Sequence, residues 1–155
     1  MKRPRKPKSE EDKRRERNNR LKRLYGITIK EYEERFAYQK GTCAICLNPP
    51  TAMPLAVDHD HKWKYLKLTV EDGVIGYVAR VNIEAHNLSA FSPYYLLNGV
   101  GETKNEAKAT LRLRLKRASV RGLLCFSCNG GLRKYRDTPD NLMRAAKYLR
   151  DHQGS

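Results

Sequence analysis

The chain has 155 residues, 39% of them apolar, enough for one modest core with a small appendage, which excludes several large domains. A net charge of +15 and a pI near 9.9 favour a polyanionic partner, nucleic acid ahead of anionic membrane. No stretch approaches the ~20 apolar residues of a membrane span, and the basic start is not followed by the apolar segment of a secretory signal, so a cytoplasmic protein is expected. Thiols there stay reduced, and four cysteines in two close pairs read as metal ligands rather than disulfides.

Residues 1–8 hold two prolines and no core-forming side chain and read as a basic disordered arm. Ser9 fits a helix N-cap, with Glu10, Glu11 and Asp12 where carboxylates oppose the positive end of the helix dipole. That polar helix is predicted to run to about Tyr25, with Gly26 ending it. Thr28 and Glu31 form a Thr-x-x-Glu capping box that opens a second helix, to about Gln39. Tyr32 and Phe36, four apart, share a face expected to pack on the cysteine frame.

The first cysteine pair, Cys43-Ala44-Ile45-Cys46, forms a knuckle ahead of the turn-rich Asn48-Pro49-Pro50. Leu55-Ala56-Val57 predicts a short strand that enters Asp58-His59-Asp60-His61. Further along, Tyr65 to Val70 alternates apolar and polar side chains, Glu71-Asp72-Gly73 supplies a turn, and Ile75 to Ile83 reads as another strand. A third strand is expected around Tyr94 to Leu97. Thr103 and Glu106 make a further capping box before a run in which Leu111, Leu113 and Leu115 fit a strand, whereas Ala107, Leu111 and Leu115 fit a helix; helix is preferred. Three strands and a basic helix is a layout shared by several small nucleic-acid-binding modules.

Val120 to Leu124 predicts a strand running into the second knuckle, Cys125-Phe126-Ser127-Cys128. A short helix is expected from Leu132 to about Arg136, after Asn129-Gly130-Gly131. Thr138-Pro139 starts a final helix with the apolar stripe Leu142, Ala145, Ala146 and Leu149. His86 and His152 stand isolated and carry no expected function.

The two cysteine pairs are separated by 78 residues, against the roughly 15–20 usual between paired zinc-binding knuckles. Treating residues 62–119 as inserted leaves a spacer of 20 and joins the two strand candidates into a hairpin opened at its tip. The predicted organisation is therefore a basic arm (1–8), a zinc-bound domain (9–61 and 120–152) and an inserted β-rich module with a basic helix (62–119).

Charge is uneven. Residues 2–23 hold twelve Lys/Arg against four acids, and residues 111–136 hold eight with no acid. A solvated face and phosphate binding remain equal readings for the first run; for the second, which surrounds Cys125, Cys128 and Asn129, binding is favoured. Cys43, Cys46, Cys125 and Cys128 fit a closed tetrahedral site for structural zinc. The oxygen ligands and imidazoles set between the pairs are the equipment of metal-assisted phosphodiester hydrolysis.

The runs Leu24-Tyr25-Gly26-Ile27-Thr28, Gln39-Lys40-Gly41-Thr42-Cys43-Ala44-Ile45-Cys46, Leu55 to His61, and Val120 to Cys125 with Cys128-Asn129 resemble the phage recombination endonuclease VII family of HNH, or ββα-metal, nucleases. The resemblance covers roughly residues 20–61 and 120–150. It implies an α+β fold with a zinc-stapled ββα-metal core, flanking helices and an inserted small sheet plus helix, together with one catalytic Mg²⁺ or Mn²⁺. The family usually joins its two strands by a tight turn, where this chain carries residues 62–119. Three positions after Asn129, where some members place an acidic residue, stands Leu132.

The resemblance assigns Asp58 and the Asn129 amide oxygen to the catalytic cation, a hard ion suited to oxygen ligands. His59 is then the candidate general base. His61, two residues along, is placed to position the phosphate or to bind the metal. Asp60 faces away and is expected to make a structural hydrogen bond. Arg121, Arg133, Lys134, Arg112 and Arg114 are candidate nucleic-acid contacts. The expected activity is metal-dependent cleavage of DNA, with branched DNA such as Holliday junctions as the implied substrate, a homodimer if junctions are resolved, and a phage or prophage setting. The alternatives are a non-catalytic zinc module that binds DNA or RNA, and a sequence-directed nicking or homing-type enzyme.

Overall fold

Local capping chemistry sets most helix limits in the computed structural model, which describes residues 8–82, 94 and 96–153. Of the 1–8 arm only Lys8 lies within that range, and Ile83 and His86 lie outside it. Helix α1 (Glu10–Tyr25) begins where the Ser9 hydroxyl accepts from the backbone N–H of Asp12, and it stops at Gly26, whose φ of 72° is the left-handed backbone that glycine adopts without penalty. Helix α2 (Ile29–Tyr38) opens on a reciprocal box: Glu31 N–H donates to Thr28 Oγ1 at 3.2 Å, and Thr28 N–H donates to Glu31 Oε2 at 2.8 Å.

The chain divides into two compact units, residues 1–35 with 59–121 and residues 36–58 with 122–155. In the first, α1 meets the start of α2 through polar contacts. Arg14 grips Glu33 with both guanidinium nitrogens, at 2.8 and 3.0 Å, and Asn18 Oδ1 accepts from Ile29 N–H at 2.9 Å. The Arg17 guanidinium lies 4.6 Å over the Tyr32 ring. The face expected to carry Tyr32 and Phe36 together onto the cysteine frame is thus shared out: Tyr32 is buried against α1, and Phe36 is half-buried beside Gly41.

Residues 62–119 build a core of their own, made of Trp63, Leu66, Ala79, Val81, Tyr94, Ala107, Leu111 and Leu115. Strands β2 (Leu68–Asp72), β3 (Tyr77–Val81) and β4 (Asn98–Gly101) form an antiparallel sheet in the order β2-β3-β4. Three strand expectations shift here. Trp63 and Leu66 are both buried on and just after a 3-10 turn, Lys62–Tyr65, because a spacing of three suits that turn; the strand therefore starts at Leu68 and continues through the expected turn residues Glu71 and Asp72. The reversal falls at residues 73–76, where Gly73 N–H donates to the Gly76 carbonyl and Gly76 has φ 82°. Among the described residues the third strand lies at Asn98–Gly101; of the stretch expected for it, Tyr95 lies outside those residues.

Helix α3 (Lys104–Ala118) starts at the Thr103/Glu106 capping box, and its helical period prevails: Ala107, Leu111 and Leu115 are buried while Leu113 is 53% exposed. The helix lies unusually close to β4. A Cβ on Gly99 would sit 2.2 Å from the Ala107 carbonyl oxygen and 2.3 Å from the Leu111 nitrogen, so only glycine lets backbone meet backbone there.

In the second unit the first knuckle is clamped to β5 (Val120–Leu124) by one side chain. Gln39 Nε2 donates to the carbonyls of Thr42 and Leu123 at 2.9 Å each, and its Oε1 accepts from Leu123 N–H at 2.8 Å. Strand β1 (Ala56–His59) and β5 form a two-stranded sheet. Helix α4 (Phe126–Lys134) corrects the sequence reading: it begins six residues before Leu132 because the Cys125 sulfur accepts from Cys128 N–H at 3.4 Å and serves as its N-cap. Asn129, Gly130 and Gly131 are therefore helical. Helix α5 (Pro139–Asp151) starts as expected after Thr138, with Leu142 and Ala145 half-buried and Leu149 exposed. The described chain is thus α+β, with five α-helices and two small sheets.

Two outcomes are expected. Gly99→Ala should lower unfolding free energy by at least ~1–3 kcal/mol in urea titration, since backbone rather than a flexible side-chain end must yield. Glu31→Ala should cost about 1 kcal/mol at neutral pH. Burial opposes the Glu31 charge, but the backbone and hydroxyl of Thr28, then Arg117 and Arg35, more than offset it and lower its pKa below the ordinary 4.5. The stability it contributes is complete above that value and lost as pH falls through the lower folded pKa, so the variant and the parent should converge in acid.

Candidate functional site

The sulfur atoms of Cys43, Cys46, Cys125 and Cys128 lie within 4.8 Å of one another. Two structural habits bring them there. The first knuckle turns tightly, with Cys43 N–H donating to the Asn48 carbonyl at 2.9 Å, Leu47 N–H to the Cys43 carbonyl at 3.0 Å, and Leu47 in left-handed backbone at φ 61°. The second pair occupies the start of α4, where Cys125 is the cap and Cys128 the donor to it.

The donor set fits a four-coordinate divalent ion of zinc's kind. Metal–sulfur bonds of ~2.3 Å in a tetrahedron require sulfur separations of roughly 3.8 Å, and Cys46 and Cys125 are 3.8 Å apart. Charge makes the same point. Burial opposes the Cys43 thiolate, yet backbone hydrogen bonds from Cys125, Cys46 and Ile45 outweigh it and lower the pKa to about 6. Burial, followed by the neighbouring sulfurs of Cys125, Cys46 and Cys43, pushes Cys128 up to about 12. One thiolate is welcome and further ones are resisted, a conflict that a bound cation removes.

Asp58 belongs to the same unit, buried on β1 at 9% exposure. Asn129, half-buried, sits in the second turn of α4 with its N–H donating to the Cys125 carbonyl at 3.0 Å. Gly130 and Gly131 follow it, and a Cβ at either would meet nothing within 4 Å. Among the described residues no second group of three or more Cys, His, Asp or Glu ligands comes together.

The next residues along the chain lie in the first unit. His59 ends β1; its ring centroid is 4.3 Å from that of His61 and 5.1 Å from that of Tyr25, the latter edge to face. Asp60 leaves the strand: its N–H donates to the Ser119 carbonyl at 2.9 Å, Oδ1 accepts from Lys62 N–H at 2.8 Å, and Oδ2 accepts from Tyr94 Oη–H at 3.4 Å. Burial and then that carboxylate push Tyr94 up to about 12, keeping it a donor. Sequence reasoning gave no place to Tyr25 or Tyr94 here. In the sequence Tyr25 marks a helix end and belongs to the run that carries the resemblance, without a role at the site, and Tyr94 is far along the chain.

The basic candidates separate by role. Arg121, Arg133 and Lys134 are exposed. Arg114 is engaged within the protein, donating to the Asn98 carbonyl at 3.0 Å and to its side-chain oxygen at 2.9 Å, whereas Arg112 borders an open groove beside Trp63. No helix among the described residues is long and apolar enough to cross a membrane.

The metal assignment has a measurable consequence. Purified protein should hold about one zinc per chain by elemental analysis, and Cys43→Ser should lose most of it. Chelation should remove amide-exchange protection from residues 36–58 and 122–153 while α3 and the sheet beneath it stay protected, because only the first group is organised by the sulfurs.

Searches of curated proteins and of solved structures return no match. A family model described as recombination endonuclease VII matches residues 18–77 and 99–151, passing through both knuckles, β1, β5 and α4 and leaving residues 78–98 unmatched. With that match extending over most of its length, the chain belongs to the recombination endonuclease VII family.

Proposed function

We propose that this chain is a metal-dependent DNA endonuclease that hydrolyses phosphodiester bonds, with β1, β5 and α4 as the ββα-metal element of an HNH-type site. Family membership carries the reading. Adjacent Asp58 and His59 on β1, and an amide at Asn129 held at the start of a sulfur-capped helix, support it.

The residues divide the work. Asp58 and the Asn129 side-chain oxygen would hold Mg²⁺ or Mn²⁺, hard ions that prefer such donors. When bound, that ion supplies Lewis-acid stabilisation of the phosphate and the leaving oxygen. His59 takes the proton from the attacking water. Tyr25 and His61 flank its ring and restrict its orientation, and His61 is also placed to contact the phosphate. Asp60 holds the turn after the strand and takes no part in proton transfer. Arg121, Arg133, Lys134 and Arg112 would draw in the DNA backbone, giving salt-sensitive binding. Zinc is structural.

The family description points to recombination, so branched DNA is the substrate favoured; cutting both strands of a four-way junction takes two active sites and hence a second copy of the chain. The phage or prophage setting belongs to the same reading. Residues 62–119 would then help select which phosphate is presented to His59.

Supercoiled plasmid nicking tests the chemistry. With Mg²⁺ or Mn²⁺ the parent should nick, and His59→Ala should be slower by ~10²–10⁴-fold at unchanged zinc content and circular dichroism. Binding without cleavage across supercoiled, branched and single-stranded DNA would support a non-catalytic zinc module instead. Cleavage confined to one duplex sequence, with junctions spared, would support a sequence-directed nicking enzyme.

A further inference from the structure

A concavity of about 410 Å³ opens on the first unit, bordered by Trp63, Lys64, Ala109, Arg112, Leu113 and Lys116. Its floor is mostly apolar, and among the described residues its rim carries three cations and no acid. Lys116 is committed, donating to the Arg23 carbonyl at 3.0 Å with its ammonium 5.7 Å over the Trp63 ring. Among the described residues neither Lys64 nor Arg112 is in an ion pair, and Leu113 is 53% exposed. The Trp63 indole N–H is buried with no acceptor among the described residues.

The geometry points to a seat for one unpaired nucleotide of a DNA strand in this groove, its base on exposed Leu113 beside the largely buried Trp63 and its flanking phosphates against Lys64 and Arg112. The inference deepens the endonuclease reading and rests on it for the choice of DNA. A duplex stacks its bases inward and offers a convex row of phosphates, which does not fill an apolar hollow. An exposed base does, and apolar or aromatic platforms with cationic edges take single strands without regard to sequence. The volume lies within the range of small-ligand pockets. An acidic peptide would satisfy the rim but leave the floor in water.

Location gives the seat a purpose. His61 caps the 3-10 turn that holds Trp63, and two residues span at most ~7 Å of chain. A nucleotide held at Trp63 therefore sits close to whatever phosphate His61 contacts. Bulged, looped and mismatched DNA, and branches with single-stranded arms, carry unpaired nucleotides; perfect duplex does not.

Trp63 is the protein's one tryptophan, so occupancy can be read by fluorescence without catalysis. Zinc-loaded full-length protein, with Mg²⁺ and Mn²⁺ omitted, would be titrated with a short oligothymidylate, the same oligomer with abasic sites, a blunt duplex and oligoglutamate. Expected are saturable quenching by the single strand and binding at least roughly ten-fold weaker for the abasic oligomer and for Leu113→Glu. Lys64→Glu with Arg112→Glu should likewise weaken the single strand by ten-fold or more while changing duplex affinity far less. Equal binding of the abasic oligomer or of oligoglutamate, or quenching insensitive to all three substitutions, would overturn the seat. Because nicking is not scored, a silent plasmid assay with intact quenching defeats the nuclease reading alone, and active nicking without quenching defeats the groove alone.

Discussion

The four sulfur atoms are the constraint on which the second unit depends. They bring together cysteines with 78 residues between them in sequence, and closing so long a loop has an entropic cost that a bound ion can repay many times over. Everything between the knuckles must leave by β1 and return by β5. The Gln39 side chain reinforces that closure from within, satisfying both polar groups of Leu123 while bonding Thr42 beside Cys43. Polar atoms join the buried Leu55, Val57, Leu123 and Leu124 in defining the second unit, whose last helix stays largely exposed.

The basic stretch between residues 111 and 136 shows how little a charge count says about availability. Arg114 braces Asn98, Lys116 binds the end of α1 through the Arg23 carbonyl, and Arg117 pairs with Glu31 at the cap of α2. Arg112, one turn from these, points elsewhere, to the groove. Several of the positive charges thus tie elements of the first unit together. Sequence marks the run as cationic, and only packing sorts its members.

Where an element was decided by its own neighbours, the chain was readable. Ser9, Gly26, Thr28 with Glu31, and Thr103 with Glu106 marked helix limits that the structure keeps, since a cap needs only a few adjacent residues. The start of α4 was hidden because a cysteine sulfur takes the place usually held by a hydroxyl or carboxylate. The strand expected at 65–70 was displaced because Trp63 and Leu66 are drawn into a distant core, a tertiary effect that local alternation cannot register. The four cysteines were legible by spacing. The company of His59 was only half so: His61 follows from the chain, but Tyr25 reaches it from another element.

Helix α3 presents two sides with different freedom to change. Toward β4 its backbone touches Gly99 and Gly101 so closely that neither glycine can accept a side chain without moving it. Toward solvent, Arg112 and Leu113 bear on no core. Sequence drift on that outer side leaves the fold untouched, so a lineage could change that face while inheriting the same scaffold. The glycine pair thereby makes the module evolvable: by fixing one face beyond negotiation, it leaves the other open to selection.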